Sequence, residues 1–124
     1  MAETSQRLRL NRTMRIKQSR DFLRVRRDGR RLVNGCLIAN WARLPVGMSS
    51  RVGVVVSSKV GGAVVRSRAR RLLRESFRLH QCELTQPVDL VLVARASIDG
   101  KKFSEVEQDF LNTLRKAGLL KPTV

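Results

Sequence analysis

Tyrosine is absent from this chain and tryptophan occurs once. Aromatics amount to 4%, so aliphatic side chains must build any core. The two cysteines, Cys36 and Cys82, lie far apart and form no C-x-x-C, so neither a disulfide framework nor a zinc site follows. His80 is the single histidine and sits among Leu79, Gln81 and Cys82, a helix-end or surface position rather than a catalytic one. No Ser/His/Asp or Cys/His set can be assembled, and no catalytic residue is assigned. Acids are few and scattered. Glu105 and Asp109 offset Lys101, Lys102 and Arg115, and the strand-like segments carry only Asp89. A self-sufficient metal-dependent nuclease needs several converging carboxylates, and no metal ligand set is assigned. Neither G-x-x-x-x-G-K-[ST] nor G-x-G-x-x-G occurs, so a small nucleotide substrate is not expected.

Long apolar runs are missing too. None approaches the ~20 residues that span a bilayer, and Met1 to Lys17 lacks the apolar stretch of a secretory signal. That segment is arginine-rich, as mitochondrial transit peptides are, yet Glu3 is acidic and the basic character continues far beyond. The expectation is a cytoplasmic protein with no membrane partner.

What the chain has in excess is positive charge. Lys+Arg number 26 against 10 acids, a net +16 with a pI near 11.7, and 20 of the 26 are arginine. Such self-repulsion opposes compactness unless a polyanion neutralises it. Arginine forms forked hydrogen bonds to phosphate, whereas lysine acts as a point charge; a GC-rich genome would favour arginine codons as well. Hydrophobic residues make up 42% of 124, enough for one modest core. Residues 1–17 read as a basic arm, mobile on its own, and residues 18–124 as a single domain.

Ser19 to Asp28 is helical in pattern, with Ser19 as a candidate cap and Gly29 as a stop. Leu32 to Leu44 alternates like a strand. Arg51 to Ser57 and Val88 to Ala94 are β-branched runs that suggest strands buried on both faces. A helix fits Ser104 to Ala117, with Ser104 and Glu107 at capping-box spacing and Gly118 following. Between the two buried strands, a glycine turn at Lys59–Ala63 opens onto a helix. The strand–helix–strand unit from Arg51 to Arg95 calls for a parallel pair with a helical crossover.

That central helix, Val65 to Leu79, carries the charge. At about 100° per residue, Val65, Ala69, Leu72, Ser76 and Leu79 share one stripe, widened by Leu73 and Phe77. The opposite arc holds Arg70, Arg71, Arg74 and Arg78, with Arg66 and Arg68 at its margins. A solvated face usually mixes signs, but Glu75 is the only acid between Lys59 and Arg78. Gly61 and Gly62 at the helix start let a phosphate approach free backbone N–H groups. An anion-binding face follows, and a polyphosphate chain fits it better than a mononucleotide. No zinc finger or helix-turn-helix accompanies it, which leaves RNA modestly ahead of DNA.

The run Lys59–Phe77, K-V-G-G-A-V-V-R-S-R-A-R-R-L-L-R-E-S-F, resembles the signature of the bacterial ribonuclease P protein subunit: a Lys, G-N-A-V, then R-N-R-x-K-R and an apolar-apolar-Arg continuation. Arg15-Ile16-Lys17 with Ser19 and Asp21-Phe22, Arg51 to Ser57, Asp89 to Arg95 and Leu114 to Leu120 match its other segments in order. The resemblance implies an α/β (α+β) two-layer sandwich with a mixed, mostly antiparallel sheet and a left-handed βαβ crossover, against the usual right-handed preference.

It also implies a function. The family's catalytic RNA hydrolyses the 5′ leader from precursor tRNA with Mg2+, and the protein binds that RNA and the leader. The implied RNA-binding residues are Lys59, Arg66, Ser67, Arg68, Arg70, Arg71 and Arg74. A leader cleft between the first helix and the sheet would draw on Phe22, Arg26, Asn40 and Trp41. Gly62 and Ser67 replace family asparagines, Arg26 stands where a second aromatic is common, and Asn40 where a strand tyrosine is common. Trp41 would point to the opposite sheet face from Asn40, toward the core. The alternative readings are a ribosomal or general RNA-binding protein without an enzymatic complex, and a membrane-surface or nucleoid DNA binder.

Overall fold

The computed structural model describes residues 14–121. In chain order its elements are helix α1 (Ser19–Asp28), strands β1 (Arg30–Asn34), β2 (Leu37–Arg43) and β3 (Arg51–Val55), helix α2 (Ala63–His80), strand β4 (Val88–Ala94) and helix α3 (Phe103–Ala117). The order is the expected one with an extra strand. The segment read as a single strand from Leu32 to Leu44 is a hairpin, its two-residue turn at Gly35-Cys36. Gly35 has φ +58, the conformation the first position of such a tight turn requires. A side chain there would also strike Asp109 of α3, whose Oδ2 lies 2.2 Å from the place a Cβ would take. That carboxylate accepts the Cys36 N–H at 3.0 Å, so α3 clasps the turn.

The sheet order is β1-β2-β4-β3, with β1–β2 and β2–β4 antiparallel and β3–β4 parallel. The parallel pair is the one joined through α2. β4 is central and nearly all buried, as its apolar run suggests. β3 is not buried on both faces as expected, because it is an edge strand; Val52 and Gly53 are covered while Val55 is exposed.

One face of the sheet packs against α2 and α3. Leu37, Ala39 and Trp41 of β2, Val52 of β3 and Val88, Leu90, Leu92 and Ala94 of β4 join Ala69, Leu73 and Phe77 of α2 and Val106, Phe110 and Leu114 of α3 in the main core. The buried side of α2 is thus centred on Ala69, Leu73, Ser76 and Phe77, slightly rotated from the expected stripe; Ser76 Oγ satisfies itself on the Leu72 carbonyl at 3.0 Å. The other face carries a smaller cluster of Ile16, Val25 and Val91, beneath α1. The two-layer arrangement therefore gains a partial third layer.

The helix ends differ from expectation. Ser19 is the first helical residue of α1, not its cap; Gln18 occupies that place without a side-chain cap bond. Gly29 does end α1, but in extended conformation; glycine is needed there because a Cβ would lie 2.2 Å from the Trp41 carbonyl oxygen. α3 begins one residue before Ser104: Lys102 is its N-cap and Glu105 accepts the Lys102 N–H at 2.9 Å. Gly118 caps its end at φ +74, as a left-handed C-cap should. The expected arm, residues 1–17, lies mostly outside the described residues, and its last part is docked. Ile16 N–H donates to the Val52 carbonyl at 2.8 Å and Arg15 bridges Val52 in parallel, extending the sheet beyond β3.

Candidate nucleic-acid interface

The arginines of α2 gather where the chain enters the domain. Ser67, Arg70, Arg71, Arg74, Glu75 and Arg78 line a cavity of about 420 Å³, and Arg15 closes it from the segment paired with β3. Helical spacing places Arg70, Arg74 and Arg78 one turn apart on a single face. Only Glu75 offsets them, and it is held by Arg78 through Nε at 2.8 Å and Nη2 at 2.5 Å. Burial depresses the Arg74 pKa, and the neighbouring Arg15 and Arg70 guanidiniums depress it further. The protein has concentrated like charge at a cost that an external anion would remove.

Four of the seven expected RNA-binding residues, Ser67, Arg70, Arg71 and Arg74, meet in this cavity. Arg68 turns elsewhere and donates to the Lys101 carbonyl at 2.6 Å, fastening α2 to the segment before α3. Arg66 has its Nε buried with no hydrogen-bond partner. Lys59 is exposed in the turn ahead of α2 and does not line the cavity. Arg15 was not among the expected site residues, and Arg78 was placed on the basic arc but not among the residues implied to bind RNA. Arg78 was legible from the four-residue spacing; Arg15 reaches the site only through the tertiary pairing of its segment.

A second concavity, about 810 Å³, runs between α1 and the open face of the sheet. Phe22, Leu23 and Arg26 of α1 form one wall, Asn40 and Ile38 of β2 and Val91 and Val93 of β4 the floor, and Val55 and Arg31 the rims. Period-2 alternation selects these residues: Leu90 and Leu92 face the main core, Val91 and Val93 the cleft. Phe22 approaches β3 closely only because residue 53 is glycine; a Cβ there would lie 2.6 Å from Phe22 Cε1. Of the four expected cleft residues, Phe22, Arg26 and Asn40 line it. Trp41 does not. Its side chain points through to the other sheet face, is 8% exposed, and belongs to the main core.

His80 ends α2, its Nδ1 2.5 Å from Glu83 and its Nε2 2.7 Å from Glu107. It is a structural link between α2 and α3. Among the described residues, no three His, Cys, Asp or Glu side chains converge as a metal site. No helix among them is long and apolar enough to cross a membrane.

Fold and charge together define a small α+β domain built to hold a polyanion. The Ribonuclease P family model matches residues 10–118. The Ribonuclease P protein component of Clostridium acetobutylicum is 38% identical over 110 residues, covering 86% of this chain and 90% of that protein. That of Clostridium novyi is 41% identical over 106 residues, covering 85% of this chain and 94% of that protein. Among solved structures, the RNase P protein of Staphylococcus aureus superposes with a TM-score of 0.79 at 25% identity, covering 87% of this chain and 98% of that one. The Thermotoga maritima RNase P protein does so with a TM-score of 0.73 at 30% identity, covering 82% and 96%.

The chain belongs to the ribonuclease P protein family. It serves as a protein subunit of that ribonucleoprotein endoribonuclease, acts in tRNA 5′ processing, and has RNA as its partner.

Proposed function

We propose that the arginine face of α2 holds the catalytic RNA of ribonuclease P, while the cleft between α1 and the sheet takes the single-stranded 5′ leader of precursor tRNA. The observation that carries this reading is the cavity where Arg15, Arg70, Arg71, Arg74 and Arg78 crowd around a single acid, Glu75. Its unbalanced charge suits a folded RNA backbone, whose phosphates release counterions on contact. Lys59 and Arg66 add positive charge toward the start of α2, whereas Arg68 is engaged with the Lys101 carbonyl. The cleft differs in kind. Its floor is largely aliphatic, Phe22 offers one ring for a base, and Arg26 and Arg31 stand at its edge for phosphates.

Magnesium belongs in this scheme to the RNA. The buried carboxylate Asp89 already accepts from two arginines, and Glu83 and Glu107 are engaged with His80. The protein's part is to bind and position in the cytoplasm; hydrolysis of the leader, with Mg2+, is the RNA's chemistry.

The test is site-specific photocrosslinking in the reconstituted holoenzyme. A photoreactive residue at position 22 should capture the leader, and one at position 70 the catalytic RNA. Capture of the leader from position 70, with none from position 22, would reverse the assignment.

A further inference from the structure

We propose that Asp89 is a positioning residue for the leader: by gripping Arg24 and Arg51 it seats α1 on the sheet and so sets the wall of the cleft. This rests on the leader reading of the cleft given above.

Asp89, Val91 and Val93 follow one another along the same face of β4. Val91 and Val93 floor the cleft, and Asp89 is the next position in that row, with its side chain 0% exposed. A carboxylate buried so completely is costly unless it is paired and hydrogen-bonded. Here both oxygens are used. Arg51 of β3 forks onto them, Nε to Oδ1 at 2.8 Å and Nη2 to Oδ2 at 2.7 Å. Arg24 of α1 donates to Oδ2 as well. Arg51 Nη2 lies also 3.6 Å from Asp21 Oδ1.

Of the residues of α1, Arg24 is therefore fastened to the buried charge directly, and Asp21 is linked to it through Arg51. They lie three positions apart, on the arc that includes Val25. Ser19, Phe22, Leu23 and Arg26 occupy a separate arc, and these are the residues α1 contributes to the cleft. The apolar seat of α1 is small by comparison. Among the described residues Val25 is its single buried residue; Ile16 and Val91 are buried with it, and Phe22, Ala42 and Val93 pack against them partly buried. The ion network adds a directional grip at this end of the helix that the small apolar cluster does not supply. Every cleft side chain of α1 moves if that grip is lost.

The proposal is tested with the holoenzyme and two precursors, one with a leader long enough to fill the cleft and one with a single leader nucleotide. Arg24→Met keeps the aliphatic stem and leaves the Asp89–Arg51 fork intact, so the domain stays folded; Asp89→Asn is the more severe variant. Arg24→Met should raise KM for the long-leader precursor about tenfold, equivalent to ~1.4 kcal/mol. It should leave kcat, the single-nucleotide precursor and the affinity for the RNA subunit unchanged. Arg24→Lys, which restores the charge, should recover most of the loss.

Equal losses on both precursors would show a merely structural role and overturn the proposal. So would an unchanged KM in Arg24→Met when Phe22→Ala still raises it. If Phe22→Ala also leaves the long-leader KM unaltered, the leader reading of the cleft itself fails, and the positioning role fails with it.

Discussion

Replacing Arg70 by alanine should strengthen the free protein and weaken its complex with RNA. Arg70 lies at the centre of the cavity face, four residues from Arg66 on one side and from Arg74 on the other. Each like-charged i,i+4 pair costs roughly 0.2–0.5 kcal/mol, so removing both gains roughly 0.4–1 kcal/mol, and alanine is at least as good a helix former as arginine. Arg74 should feel this most, since the Arg70 charge helps to lower its pKa. The unliganded protein should therefore melt higher, by an amount on the order of a few degrees.

In the complex the sign reverses. A lost phosphate contact reduces the slope of log K against log salt by about 0.9 on duplex RNA or somewhat less on single strands, taking DNA as the guide. Across a rise from about 50 to about 200 mM salt, that one contact accounts for a factor of about 3.5 in affinity. Thermal denaturation without RNA and filter binding of the catalytic RNA across a salt series measure the two effects. An unchanged salt slope would remove Arg70 from the interface, and a lower melting temperature would refute the argument from crowded charge.

Three further outcomes are expected. Gly53→Ala would place a Cβ within 2.6 Å of Phe22 Cε1 and push the ring off β3; long-leader precursors should bind less well in a holoenzyme assay, while the fold loses about 1–3 kcal/mol. For His80, burial opposes the charged form, but the Glu107 and Glu83 carboxylates outweigh it, and the pKa is raised above the ordinary 6.5. Its contribution to stability is then complete below about 6.5 and lost as pH rises through the higher folded value. Denaturant titrations should show His80→Gln costing more at acid pH than at alkaline pH, and an equal cost at both would contradict the ion-pair account. Burial and the Asp109 carboxylate push the Cys36 thiol up to about 12, whereas Cys82 is exposed. A thiol reagent should label one cysteine in the native protein and two after denaturation; rapid labelling of both in the native state would show that Cys36 is not protected.

Much of the fold was legible from periodicity because strong patterns leave little choice. α2 and α3 each present a continuous apolar stripe, and β4 is apolar enough that only a central position suits it. The hairpin turn was hidden because Cys36 and Leu37 continue the apolar run across it, and Gly35 was read as a strand residue. The position of β3 was hidden for another reason. A run of valines looks the same in a central strand and at an edge, and pairing alone distinguishes them. The site divides likewise. Arg70, Arg74 and Arg78 share a face by local spacing, whereas Arg68 is drawn away by a carbonyl 33 residues distant in sequence.

The sequence by itself determined the charge and a helix whose basic arc carries almost no acid of its own. These are local properties of composition and spacing, and no packing could reverse them. Tertiary structure decided which groups face one another. It brought Arg15 to the α2 arginines, sent Trp41 into the core and left Asn40 in the cleft, and buried Asp89 between Arg24 and Arg51. Those outcomes depend on strand order and on which sheet face each helix covers. Both are settled by burial of apolar area across the whole domain, which a single segment does not encode.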